Sequence, residues 1–134
     1  MPRTTSNASP VFALFIPANM EQPIRVVPLI SDNPLRDMYS LIGCEYVERI
    51  GNLPSTDAPV ALWVDEEGAL KQNPMNTRAS IIAGIPLVGD AILAGDEGGN
   101  IVSLRMDCPA DFMRRVEALA QDWNAKYGSG SYTK

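Results

Sequence analysis

With 134 residues, 46% of them hydrophobic and 20% charged, the chain is long enough to bury one core without disulfide or metal staples and reads as a single domain. Its 16 acidic residues against 11 basic ones leave a net charge of -5, which disfavours a nucleic-acid binder built on a basic face; acids this scattered do not make a DNA mimic either. The chain contains no histidine, which removes the commonest general base, and its longest uncharged apolar run, Ile81 to Gly89, is far short of the about 20 residues of a membrane span. Residues 1–10 are polar with no apolar signal core behind them, so they read as a flexible arm and the protein as cytoplasmic.

The single domain is expected over 11–127. Val11 to Ile16 is apolar and strand-like, residues 17–23 make a turn, and Ile24 to Leu29 return as a second strand. Pro28 cannot donate to a ladder and belongs at a strand end or on an edge. Ser31-Asp32-Asn33-Pro34 supplies cap residues and then a proline, the signature of a helix start. Leu35, Met38, Tyr39 and Ile42 follow at helical spacing and Gly43 ends the helix, giving about 34–43.

Cys44 to Ile50 reads as a strand, 51–57 as a loop, and Val60 to Val64 as the most β-prone segment of the chain. Asp65-Glu66-Glu67-Gly68 is expected to be a tight turn with Gly68 at positive φ, and Ala69 to Lys71 to start a returning strand. The polar knot Asn73 to Arg78 marks a second turn, leading into one or two helical turns over Thr77–Ala83. Ile85 to Ala94 is expected as a strand interrupted at Gly89, with a turn over Gly95–Asn100 and a return over Ile101–Met106. The last helix, about 109–127, carries Phe112, Val116, Leu119, Ala120, Trp123 and Tyr127 as an apolar stripe, which makes Trp123, like Trp63, a core residue. Residues 128–134 form a polar tail.

The fold class is therefore α+β: a mostly antiparallel sheet of five to seven short strands, with the helices at 34–43 and 109–127 packed on one face. Cys44, at the helix-to-strand junction, and Cys108, near the last helix, read as reduced thiols.

Chemistry is sparse. The acidic turns at 65–68 and 95–100 lack the ligand spacing of a calcium loop, and the glycines of the second are interleaved with acids that repel phosphate. No cofactor is implied. Asp65, Glu66 and Glu67, with Asp90, would serve acid–base chemistry only if a pocket brought them together. Asn76 and Arg78 are the candidate ligand-binding residues, because arginine's planar fork suits a carboxylate or phosphate. Their structural alternative is a helix cap at Asn76 and an ion pair from Arg78 to a carboxylate such as Glu66.

The order of several segments resembles the family described as domain of unknown function 3846, small proteins common in phage and actinobacterial genomes. The similar parts are Ile24 to Leu29, the helix-glycine-strand joint Leu41 to Val47, the strand ending in Asp65–Gly68, Asn73 to Ala79, and Val88 to Leu93. Cys44 departs from the pattern, where a second glycine is usual, and the C-terminal helix is longer. The resemblance implies a compact α+β fold and a phage or mobile-element setting, and it carries no reaction. The leading expectation is a non-enzymatic accessory protein that binds a host protein, with a homo-oligomer as one form. A binder of a small anionic ligand such as a nucleotide signal is the alternative, and an enzyme using carboxylates near Asp65–Glu67 the third.

Overall fold

The computed structural model describes residues 10–30, 32–53, 59–104 and 109–127. The arm before Pro10, the tail at 128–134, Cys108 and the strand end expected at 105–106 lie outside these residues. In chain order the elements are β1 (Val11–Ile16), β2 (Arg25–Leu29), α1 (Pro34–Ile42), β3 (Val47–Ile50), β4 (Val60–Asp65), α2 (Thr77–Ala83), β5 (Ala91–Glu97), β6 (Asn100–Val102) and α3 (Pro109–Tyr127). The sheet is α+β in class, as expected: five strands run in the order β2-β1-β5-β4-β3, β6 pairs with β5, and every pairing is antiparallel.

The alternation of side chains along the strands divides the core in two. Leu14, Ile16, Leu62, Val64 and Leu93 face Ile82 of α2 and Phe112 and Val116 of α3. Their neighbours Ala13, Phe15, Ala61, Trp63 and Ile92 form a second cluster with Met38 of α1. The expectation that both helices cover one face is thus corrected: α1 lies on one side of the sheet, α2 and α3 on the other. The reason is visible in β4, VALWVD, where all six residues are buried. A strand apolar on both sides needs cover on both.

Asn33 caps α1 through its side-chain oxygen, which accepts from the Leu35 amide at 3.2 Å, with Pro34 in the first turn. The α1–β3 connection uses Cys44 to Tyr46, so β3 begins at Val47, later than expected. Pro28 lies on β2, an edge strand, where its missing donor leaves no gap in the ladder.

Two further expectations are corrected. The segment after β4 does not return as a strand: residues 66–72 coil in successive turns, with the Lys71 amide donating to the Glu67 carbonyl at 3.0 Å. Gly68 is not at positive φ; it is small because an added Cβ would meet Val88 at 3.0 Å and the Asp65 carbonyl at 3.3 Å. The second correction concerns β5, which starts at Ala91 and not at Ile85. Residues 85–90 form an irregular link, pinned by one isolated bridge between Met75 and Val88. β5 then runs to Glu97, and the hairpin closes through Gly98-Gly99 alone, at φ 59° and 90°. Two consecutive positive φ values are what a two-residue turn matched to strand twist requires, and only residues such as glycine take them without strain.

Candidate functional site

Two places hold the residues that the sequence singles out, and a third holds residues it does not. The first is the start of α2. Asn76 is 0% exposed and its side chain makes three hydrogen bonds. Its Oδ1 accepts from the Ala79 amide at 2.9 Å, capping α2, while its Nδ2 donates to the carbonyls of Ile16 at 2.9 Å and Gly89 at 2.8 Å. Arg78 is 1% exposed. Its Nη1 donates to Glu117 Oε2 of α3 at 2.7 Å, and its Nη2 to the carbonyls of Pro17 at 2.7 Å and Asn19 at 3.0 Å. The carboxylate partner is therefore Glu117, 39 positions away, and not Glu66. Glu66 is an exposed residue on the turn beyond β4, and its amide donates to the Tyr46 carbonyl.

These bonds tie the β1–β2 connection, α2, the link before β5 and α3 into one polar clamp. Asp90 joins it from the side, accepting from the Ala18 amide at 2.9 Å. Arginine suits such a place because one planar group serves several acceptors in fixed directions. Its Nε has no partner, so the guanidinium is held by its outer edge. As arranged here, the outer donors of Arg78 are spent inside the fold, and an anion would have to displace Glu117 to reach them.

The second place is a polar cleft of about 530 Å³ between the end of α1 and the turns after β4, lined by Tyr39, Ser40, Cys44, Glu45, Glu67 and Lys71. Asp65 lies buried beneath it, pairing with Lys71 at 2.8 Å and accepting from the Glu67 amide at 2.9 Å. Burial pushes the Asp65 carboxyl up, but the hydrogen bond from Lys71, the Glu67 amide, the Lys71 charge and Asn73 outweigh it, and the net position is below the usual carboxylate range. Lys71 is correspondingly raised, chiefly by its bond to Asp65. Burial, and next the Asp65 charge, raise the Cys44 thiol against the opposing pull of Lys71 and a backbone bond from Tyr46. Cys44 carries a free thiol, and a raised pKa makes it a poor nucleophile at neutral pH. Among the described residues no group of three His, Cys, Asp or Glu side chains converges to hold a metal ion. Asp65 and Asp90 are committed to different partners, Lys71 and Ala18.

A stability consequence follows from Asp65. A carboxyl held below its unfolded value stabilises the fold fully above that value, near 3.8, and the contribution is lost as pH falls through the lower folded pKa. Replacing Lys71 by methionine should move the folded pKa back upward, so acid unfolding should begin at higher pH than in the wild type. At pH 7 the same variant should lose only a small part of its stability, because Asp65 keeps the Glu67 amide and the Lys71 side is open to water. Urea melts at stepped pH measure both.

The third place is the one passed over. A half-open cleft of about 400 Å³ lies along α2 and α3, lined by Met75, Thr77, Ser80, Ile81, Ile85, Pro86 and Trp123. Trp123 is 40% exposed and Ile85 48%, so Trp123 is not the core residue that its place in the stripe suggested. On α3 the inward line is Phe112, Val116 and Ala120, repeating every four residues. Leu119 and Trp123 form a second line one step round the helix and turn outward, Leu119 being 55% exposed. The stripe itself held no signal of this, since six apolar positions are no more than the one buried face of a 19-residue helix calls for.

The family model described as Domain of unknown function (DUF3846) matches residues 13–117. No curated protein matches the chain. Among solved structures, the crystal structure of small RNA methyltransferase HEN1 is similar over 83% of this chain and 16% of that one, at 22% identity and a TM-score of 0.57. At that identity the likeness concerns the fold alone.

Proposed function

From the chain's membership of the DUF3846 family, which comes with a fold and no reaction, we propose that it is a non-enzymatic accessory protein that binds a host protein, in a phage or mobile-element setting. The observation that supports this reading is the apolar cleft between α2 and α3, whose Trp123, Ile85 and neighbouring Leu119 are large side chains left about half in water. Tryptophan, here on the wall of the cleft, is among the residue types most enriched in binding hot spots. The polar residues that would have suggested catalysis or anion capture are instead engaged in internal bonds, Asn76 and Arg78 in the clamp and Asp65 under the second cleft.

Affinity capture from host lysate tests the proposal. Wild-type protein should retain one partner at a stoichiometric ratio. Trp123→Asp, at an exposed site, should stay folded and lose that partner, whereas Leu70→Asp, at a site 84% exposed in the turns after β4, should keep it. Absence of any stoichiometric partner, or equal retention by both variants, would count against the docking face.

The second reading, a small anionic ligand held by Arg78, would have that ligand replace Glu117 as the partner of the guanidinium. Native mass spectrometry of freshly purified protein checks it, since a sequestered ligand adds a fixed mass that Arg78→Met should remove.

A further inference from the structure

Building on the docking role proposed above, we infer that the occupant of the α2–α3 cleft is a short segment of a partner protein bearing one bulky apolar side chain, and not a second copy of this chain. Volume, charge and area each bear on the choice. A cleft of about 400 Å³ is at the small end of ligand pockets, so it suits one or two large side chains. No residue lining it carries a charge. Ser80 is spoken for, accepting from the Leu87 amide at 2.8 Å and donating toward the Leu87 carbonyl at 3.3 Å. A charged anchor would therefore lose its water and meet no opposite charge, with only the Thr77 hydroxyl and the Trp123 indole beside Ser80 as polar side-chain groups on the lining.

The exposed parts of Ile85, Leu119 and Trp123 together amount to roughly 200–300 Å² by the ordinary size of such side chains. A stable symmetric dimer buries about 800 Å² on each partner. The apolar surface does not extend along α3 to make up the difference, because Arg114, Arg115, Asp122 and Lys126 are all exposed on that helix. A single anchoring side chain needs no more area than the cleft offers. Met75 and Trp123 on its walls add a polarisable lining that favours aromatic and branched aliphatic groups.

The test uses the full chain labelled with nitrogen-15 and two short soluble peptides, identical except for phenylalanine or alanine at the centre. The chain has two tryptophans, and Trp63 is 3% exposed, so the two indole N–H signals report the core and the cleft separately. The phenylalanine peptide should shift the Trp123 indole and the Ile85 amide, with binding at least about tenfold tighter than the alanine peptide. Ile85→Asp, at a surface position, should abolish the difference while leaving the Trp63 signal in place. Equal shifts from both peptides, or none, would overturn the inference. So would a concentration-dependent dimer in sedimentation that Ile85→Asp dissolves, or an apolar small molecule retained in native mass spectra. Failure of the lysate capture together with selective phenylalanine binding would remove the host-protein reading and leave the anchor pocket standing. A captured partner that Ile85→Asp still retains would do the reverse.

Discussion

Replacing Asn76 by alanine should destabilise the domain by about 3–4 kcal/mol, the sum of a lost helix cap and two buried carbonyls left without donors. Against a total of roughly 5–15 kcal/mol for a domain, that is a large share, and the melting midpoint should fall on the order of 10–20 °C. The asymmetry of the side chain allows the parts to be separated. Asn76→Ser keeps an oxygen that can accept from the Ala79 amide but is too short to serve Ile16 and Gly89. It should recover only the cap, about 1 kcal/mol. Thermal unfolding of the three proteins measures this directly. A melting point for Asn76→Ala within a few degrees of wild type would mean that the clamp is not holding the fold.

Arg78→Met is the second large effect, expected at about 3 kcal/mol. Methionine fills similar volume but leaves the Pro17 and Asn19 carbonyls and the Glu117 carboxylate without their donors. Part of the loss should be recoverable, since the Glu117 side chain is 32% exposed and has access to water. Adding Glu117→Gln to Arg78→Met should therefore cost little beyond the single change, while Glu117→Gln alone should cost measurably more. That non-additivity is the signature of a direct pair. Arg78→Lys should fall between, because an ammonium group cannot span the three acceptors that the guanidinium fork reaches. Denaturant melts of the four proteins give the coupling.

Much of the architecture was legible because its signals are local. Asn33-Pro34 specified a helix start, Val60 to Val64 a buried strand, and Gly43 and Gly84 the two helix ends. What failed to show were arrangements set by distant contacts. Nothing near Arg78 in sequence reveals that Glu117 is its partner, because β5 and β6 separate α2 from α3 along the chain and the two helices meet only in the folded domain. The turns after β4 resembled a hairpin because Gly68 follows acids, yet its smallness answers Val88, 20 positions on. Trp123 was read as core for a related reason. Helical spacing locates a residue relative to its own helix, whereas the edge of the burial depends on how far α2 extends beneath α3, and α2 stops at Ala83.

The candidate site inverted in the same way. Asn76 and Arg78 attract notice as polar groups between β elements, but each sits in the interior with its bonds made. The surface left open beside them is apolar, and apolar residues on a helix do not announce that they face water. The proposed division of labour is that polar residues around α2 hold the fold and the apolar cleft they support does the binding.

Hydrogen–deuterium exchange on the wild-type protein, alone and with the captured partner, tests that division most directly. The predicted result is new protection confined to residues 81–87 and 117–126, with the clamp around Asn76 and Arg78 already protected in the free protein. Protection appearing instead over 39–45 and 65–73, or a clamp that exchanges freely until a ligand is added, would contradict it.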